Sequence, residues 1–421
     1  MPGTMPTSDG YRLFTLALPP LRSVVGMEST SVRPLRVAIA TESFLPTTNG
    51  VTTSVCRVLD YLRANGHEAI VITPSAGGKR HYNGFPVFEL PALAYRQFPV
   101  GLPSQQVQRI LADFGPDVLH AASPFILGGQ AIDAAERLGV PSVAIFQTDL
   151  AGYAARNRLS AATRIAWRIV RRIHQRAGLT LVPSSSSMHD LKKAGIKRLE
   201  RWGRGVDLER YHPNNRLHAE TAALRGRIAP NGELIVGYIG RIAPEKQVER
   251  FAALRGIPNV RFVMVGDGPS VPLVRRALAG MPVTWLGRLG GDELSTAWAA
   301  LDVFVHTGDE ETFGQTVQEA QASGVAVVAP RSGGPIDLIR EGISGLLYQP
   351  GDNAQLRGIV ERLCADDSLR LRIGEAGRRS VLDKSWSSVC DALLGYYRQV
   401  IGDRAPAVAP QPKRLKTAKV S

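Results

Sequence analysis

The chain has 421 residues, 44% hydrophobic, with 42 glycines and a formal net charge of +14. That length exceeds one ordinary core and implies two domains, and the glycine content suits an α/β protein with many tight strand-to-helix turns. Cys56, Cys364 and Cys390 are an odd set with no close pair, which argues against a disulfide framework and a zinc site and fits a reducing cytosol, and no apolar run has the length of a membrane span.

Residues 1–34 read as a disordered leader. Leu13 to Leu21 is short and broken by Pro19-Pro20, it lacks a signal-peptide cleavage site, and Met27 is an alternative start. Order is expected from Leu35. Arg36 to Thr41 is apolar without alternation, as a parallel strand buried on both faces is. The loop Glu42 to Gly50 leads into a helix from Val51 to the C-cap pair Asn65-Gly66, and Glu68 to Thr73 is a second strand stopped by Pro74. This is a βαβ unit. Gly50 stands at the mouth of that helix, where a missing side chain lets a ligand approach backbone N–H groups. Asn-Gly is also an ordinary turn signal, and no G-x-G-x-x-G is present to suggest a dinucleotide.

The alternation continues. Asp117 to His120 is a short strand, with His120 read as structural. Val140 to Phe146 is another and leads into Gln147-Thr148-Asp149. Leu179 to Pro183 closes on a serine run, Ser184 to Ser187, which should cap the next helix. Between them lies a basic helix, about Ala161 to Ala177, with Arg164, Arg168 and Arg172 at i, i+4 and Arg171 and Arg176 beside them. Ile165, Ile169, Val170 and Ile173 form another face. That pattern predicts a packed helix with a charged, wet side; a seat on an anionic membrane is the alternative. From Arg36 to Gly205 there are 21 Lys/Arg against 11 Asp/Glu, a surplus that suits an anionic partner and is equally explained by solubility.

A domain boundary is expected between Gly205 and Gly232, so that residues 35–212 and 232–385 form two Rossmann-like parallel-sheet domains with an interdomain cleft. The second opens with the apolar strand Leu234 to Gly240. Arg241 and Lys246 follow at its carboxyl end, where open α/β sheets bind ligands. They combine a planar fork with a compact charge suited to adjacent phosphates; a surface pair neutralised by Glu245 is the plainer reading. Strands at Val260 to Val265, Val283 to Leu286, Val303 to Val305 and Val325 to Ala329 should end along the same sheet edge. After Val305 a helix is expected to begin at Glu311, leaving the N–H groups of Thr312 to Gln315 for anions and hydroxyls. Glu319 lies about two turns on, roughly 80° around that helix. An acidic helix start is also ordinary dipole stabilisation. Trp386 to Ile401 reads as a final helix, and residues 402–421 as a disordered basic tail.

Taken in order, these motifs resemble the retaining GT-B glycosyltransferases of family GT4, over about Arg36 to Ile401. The signature is Glu311 and Glu319, two glutamates separated by seven residues. Support comes from Gly240-Arg241 with Glu245-Lys246, Val265-Gly266-Asp267-Gly268-Pro269, Ser332-Gly333-Gly334, Gly345-Leu346-Leu347 and Pro350-Gly351-Asp352. More narrowly, Glu42-Ser43-Phe44-Leu45-Pro46 through Asn49-Gly50-Val51, Phe146-Gln147-Thr148-Asp149 and Val305-His306-Thr307-Gly308 look like a subgroup of GDP-mannose-dependent α-mannosyltransferases. Those enzymes act on membrane glycolipids such as phosphatidylinositol mannosides or glucuronosyl diacylglycerol.

The resemblance implies that Arg241 and Lys246 hold the diphosphate and stabilise the leaving group. It implies that Glu311, with the N–H groups of Phe313 and Gly314, contacts the sugar hydroxyls. Glu319 would bind the ribose, Gly50 and Val51 approach from the first domain, Gly240 line the site and Arg288 sit near the base. The Trp386 helix would brace the first domain. Where many members carry a sugar-contacting histidine, this chain has Gln147, with Asp149 two residues on; an amide bonds a hydroxyl but does no acid–base work. The implied enzyme needs no metal or cofactor. Its partners are a nucleotide sugar, a glycolipid acceptor and an anionic membrane surface, and it is cytoplasmic or peripheral on the inner membrane face. Alternatives are another nucleotide sugar, or a nucleotide-sugar epimerase or hydrolase. Nucleic acid is disfavoured because the basic segments lack interleaved aromatics.

Overall fold

The computed structural model describes residues 33–402, apart from 76, 79, 96–97, 102–104 and 148–159. The leader, the basic tail beyond Gly402 and Asp149 therefore lie outside the described residues. The main compact unit begins at Leu35.

Its first half runs β1 (Arg36–Thr41), α1 (Gly50–Ala64), β2 (Glu68–Pro74), β3 (His81–Tyr82), β4 (Phe85–Leu90), β5 (Ala92–Tyr95), β6 (Phe98–Gly101), α2 (Gln106–Phe114), β7 (Val118–Ala122), α3 (Ile126–Arg137), β8 (Ser142–Ile145), α4 (Ser160–Arg176), β9 (Leu179–Val182), α5 (Ser185–Lys193) and β10 (Leu199–Arg201). Eight of these strands make one sheet, ordered β10-β9-β8-β7-β1-β2-β4-β3 and parallel except for β3. The second half runs α6 (Ala219–Ile228), β11 (Leu234–Ile239), β12 (Val260–Val265), α7 (Val271–Ala277), β13 (Val283–Gly287), α8 (Gly291–Ala300), β14 (Val303–Val305), α9 (Gln315–Ala322), β15 (Ala326–Pro330), α10 (Pro335–Leu338), β16 (Leu346–Tyr348), α11 (Asn353–Ala365), α12 (Asp367–Ser380) and α13 (Trp386–Gly402). Its six strands are all parallel, in the order β13-β12-β11-β14-β15-β16.

Apolar runs without alternation make these strands because both faces are covered. Val37 and Ile39 of β1 enter one core, while Ala38 and Ala40 enter the core on the opposite face. In β11, Ile235 and Ile239 pack on one side and Val236 and Tyr238 on the other. Each sheet reverses direction beside its first strand, between β1 and β7 and between β11 and β14. At such a switch point the following loops diverge and leave a crevice outside the carboxyl ends of the strands.

Helix α13 belongs to the first core although it is last in sequence. Cys390, Leu393, Leu394, Tyr397 and Val400 pack with Val37, Ile39 and Val55. The Tyr397 hydroxyl meets His120 Nδ1 at 2.5 Å, and burial pushes that imidazole down to about 3, so it stays neutral. His120 is thus structural, as expected. Helix α4 corrects one expectation. Val170 and Ile173 are buried, but Ile165 is 56% and Ile169 36% exposed, alongside the exposed Arg164, Arg168, Arg171 and Arg172. Its apolar positions do not all face the core, because α3 and its neighbours cover only the Val170–Ile173 side.

Candidate active site

The loop after β11 is clamped against the loop after β12. Gly240 N–H donates to the Val265 carbonyl and Ile242 N–H to the Asp267 carbonyl. A Cβ on Gly266 would lie 1.9 Å from the Gly240 carbonyl oxygen, so only glycine permits this approach. The Tyr238 hydroxyl donates to the Arg241 carbonyl at 2.8 Å. Arg241 is thereby fixed at the strand end, and a short 3-10 turn, Pro244–Lys246, presents Lys246. Arg241 pairs with Glu245 at 2.6 Å and is 56% exposed. Lys246 turns inward and meets Glu311 at 2.5 Å.

Glu311 comes from the segment after β14, where the structure departs from the sequence reading. Helix α9 begins at Gln315, not at Glu311, with Gly314 as its N-cap at φ 99°. The intervening residues are held open by other bonds. Arg250 grips Asp309 with two contacts of 2.7 Å, Ser332 Oγ donates to the Asp309 carbonyl at 2.6 Å, and Gly334 N–H donates to the Glu311 carbonyl at 2.6 Å. These tertiary bonds outweigh local helix propensity. The Phe313 N–H, expected to be available to a ligand, points to Glu311 Oε1 at 3.4 Å. Glu311 and Glu319 therefore do not share one helix, and the angle between them about a helix axis has no meaning here.

A pocket of about 200 Å³ opens at the β11/β14 switch point, lined among others by Arg204, Gly240, Arg241, Lys246, His306 and Glu311. Burial pushes the Glu311 carboxyl up, but the attraction of Lys246 outweighs this and holds it at about 2, so it is ionised at neutral pH. Burial pushes His306 down to about 4; its Nε2 lies 3.9 Å from Glu311, and it is neutral. Burial raises Glu319 to about 7 against the opposing pull of Gln315, Trp298 and Arg204. The site thus offers fixed cations, one ionised carboxylate and one neutral imidazole, an arrangement suited to an anionic group with hydroxyls beside it.

Gly240, Arg241, Lys246 and Glu311 line this one pocket. Phe313 and Gly314 are buried in the segment leading into α9. Gly50 opens α1 and is not among the lining residues, but a Cβ there would lie 2.5 Å from Nη1 of Arg204, which is. Val51 is half-buried against the first core. Gln147 is buried just past β8, and its Oε1 has no hydrogen-bond partner among the described residues. Arg288 stands exposed after β13, the edge strand of its sheet, and is outside the pocket lining. Arg204, Tyr238, His306 and Thr316 line the pocket with no site role expected of them from the sequence. His306 directly follows the apolar strand β14, a signal the sequence carries, whereas Arg204, between two glycines, is directed at the pocket only by long-range packing.

Residues 48–210 match the family described as Glycosyltransferase Family 4, and residues 222–380 match Glycosyl transferases group 1. The chain is 43% identical over 378 residues to the GDP-mannose-dependent alpha-mannosyltransferase of Corynebacterium glutamicum, covering 88% of this chain and 90% of that protein. It is 45% identical over 380 residues to the protein of the same name from Mycolicibacterium smegmatis, covering 88% of this chain and 99% of that one. Among solved structures, sucrose-phosphate synthase from Thermosynechococcus elongatus superposes with a TM-score of 0.72 at 20% identity, over 88% of this chain and all of that one.

Proposed function

The chain belongs to the glycosyltransferases of family 4 and group 1, with the GT-B fold, and on that premise we propose that it moves mannose from GDP-mannose to a membrane glycolipid with retention at the anomeric carbon. The observation that carries the reading is the meeting of Arg241, Lys246 and Glu311 at the β11/β14 switch point. Guanine and mannose are supported by the names of the two bacterial relatives.

In the proposed reaction the acceptor hydroxyl attacks C1 from the face the diphosphate leaves. The bond from C1 to the phosphate oxygen breaks, and a phosphate oxygen of the leaving group takes the hydroxyl proton. Arg241 and Lys246 offset the charge that grows on the diphosphate, without a metal or cofactor. Glu311, ionised, accepts hydrogen bonds from sugar hydroxyls and is not a proton donor at neutral pH. Neutral His306 is fit to bond a hydroxyl beside it. Glu319 takes the ribose, and Gln147 offers its open amide oxygen from the first domain.

A lipid-linked acceptor and an anionic membrane are supported by helix α4, where Ile165 and Ile169 stand exposed among Arg164, Arg168, Arg171 and Arg172. Apolar side chains framed by arginines suit the boundary between headgroups and acyl chains. No helix among the described residues is long and apolar enough to cross a membrane.

A thermal-shift panel of GDP, UDP and ADP tests the donor. Saturation at a hundred times Kd adds about 2.7 kcal/mol of stability, and GDP should give the largest shift. Incubating GDP-mannose with glycolipid vesicles should then move mannose to lipid. Donor loss that needs no acceptor would instead identify a hydrolase or epimerase.

A further inference from the structure

The strand between the two domains is unusually constrained. Trp202 is seated in the first core, with its indole N–H donating to the Val389 carbonyl at 2.9 Å. Val206 is seated in the second core, with its N–H donating to the Lys384 carbonyl at 2.9 Å. Two glycines lie between them. A Cβ on Gly203 would come within 3.1 Å of the Phe313 ring, and one on Gly205 within 2.5 Å of Trp386 Cα. Gln315, at the start of α9, donates to the Gly205 carbonyl at 3.2 Å. The crossover is therefore wedged between α9 and α13. Its one long side chain, Arg204, is directed at Gly50 and into the pocket.

The charges in that pocket are not evenly matched. Arg241 pairs with Glu245 and Lys246 with Glu311. Arg204 makes no ion pair with any described residue. Burial pulls its guanidinium down, and the charges of Glu311 and Glu319 pull it up. A guanidinium at the amino-terminal end of α1 also faces the positive end of that helix dipole. The Val51 and Thr52 N–H groups at that helix start donate to Asn49 Oδ1 and are closed to a ligand, so the anion that would balance this cation belongs on the pocket side of the guanidinium, next to Arg241 and Lys246.

We propose that Arg204 is a third cation of the donor pocket, contacting the diphosphate of the nucleotide sugar from the interdomain crossover alongside Arg241 and Lys246. This rests on the nucleotide-sugar reading above. Arginine suits the task because its planar fork bonds two phosphate oxygens at once, which lysine does not. Gly50 is part of the same device: its missing side chain leaves the space the guanidinium occupies.

The test compares the wild type with Arg204→Met, Arg204→Lys and Gly50→Ala. Binding is titrated with GDP, UDP and ADP, with the matching monophosphates GMP, UMP and AMP, and with inorganic pyrophosphate, and melting temperature is followed in parallel. The wild type should prefer GDP to GMP. Arg204→Met should weaken GDP by about ten- to a hundredfold while GMP changes much less, and Arg204→Lys should recover part of the loss. Gly50→Ala, whose added methyl displaces only the mobile end of Arg204, should weaken GDP with no fall in melting temperature, since alanine suits a helix start at least as well. A wild-type GDP-to-GMP preference in Arg204→Met overturns the proposal, as does an equal loss of both ligands with a lowered melting temperature in every variant. If the wild type binds UDP or ADP in place of GDP, the guanine reading fails, and Arg204 is judged on the diphosphate that binds. Binding of none of these diphosphates overturns both.

Discussion

Lys246 Nζ lies 2.5 Å from Glu311 Oε2 and joins the loop after β11 to the loop after β14 across the point where the sheet order reverses. Both side chains are largely buried, so each depends on the other. Removing the lysine leaves a carboxylate in a poorly solvated place, and Lys246→Met should cost about 3 kcal/mol of stability. The double variant Lys246→Met/Glu311→Gln, with no charge left unpaired, should recover most of that loss. Neither variant should recover turnover, because a cation aimed at a leaving diphosphate is worth about 10²–10³-fold in rate. Calorimetry with transfer assays separates the two effects. Near-normal rates in Lys246→Met would remove the lysine from the chemistry. The pH dependence has a definite sign. Glu311 is held at about 2, below its unfolded value of 4.5, so its stabilisation is present above about pH 4.5 and is lost as the pH falls towards 2.

Glu319 behaves in the opposite way. Burial raises it to about 7 from 4.5, so between those values the folded chain binds a proton that the unfolded chain does not. Stability should fall as the pH rises from about 4.5 to 7 and level off above, by on the order of 2–3 kcal/mol once solvent at its partly exposed edge is allowed for. Glu319→Gln should flatten that slope and melt higher than the wild type at pH 8. Melting curves from pH 5 to 8 decide the matter, and parallel slopes in the two proteins would refute the raised value. If Glu319 also holds the ribose, the variant should bind GDP more weakly while acceptor affinity is unchanged.

The architecture was legible because parallel strands buried on both faces must be continuously apolar. β1 and β11 read directly as such runs, and the loops at their carboxyl ends carried the notable glycines and cations. Arg241 and Lys246 stand out in the sequence for that reason, and Glu311 because it follows the apolar run of β14. What eluded the sequence depended on contacts far apart in the chain. The start of α9 is delayed to Gln315 by the bonds of Arg250 and Gly334 to residues 309–311, which no local pattern encodes. Arg204 acquires its position from Phe313 and Trp386, residues more than a hundred positions away, which close on the glycines flanking it. Ile165 and Ile169 follow helical spacing, but spacing alone does not say which apolar face a neighbour will cover.

The same long-range logic joins the domains at their rim. Asp337 opens towards the first domain from α10, and its two carboxylate oxygens accept from the Ser185 N–H and hydroxyl, each at 2.7 Å. Arg201 at the end of β10 adds an ion pair at 3.2 Å. Ser185 is the first residue of α5, so the carboxylate from one domain also meets the positive end of a helix in the other. The contact is partly exposed, which limits its ion pair to less than about 1 kcal/mol, while the two hydrogen bonds to a charged group add about 1.5–3 kcal/mol. A shift of about 2 kcal/mol changes the ratio of joined to parted domains roughly thirtyfold. Asp337→Ala should therefore leave both cores intact and raise the fraction of molecules with parted domains. Donor KM should rise more than kcat falls, because binding must then also bring the domains together. Distance distributions between one label on α2 and one on α11, taken with and without GDP, measure this directly. The variant should show a broader, longer distribution without ligand and approach the wild type when saturated, and added salt should move the wild type in the same direction. Identical distributions in the two proteins would mean that the interdomain crossover and α13 alone hold the halves together, and that the Asp337 clasp contributes nothing to closure.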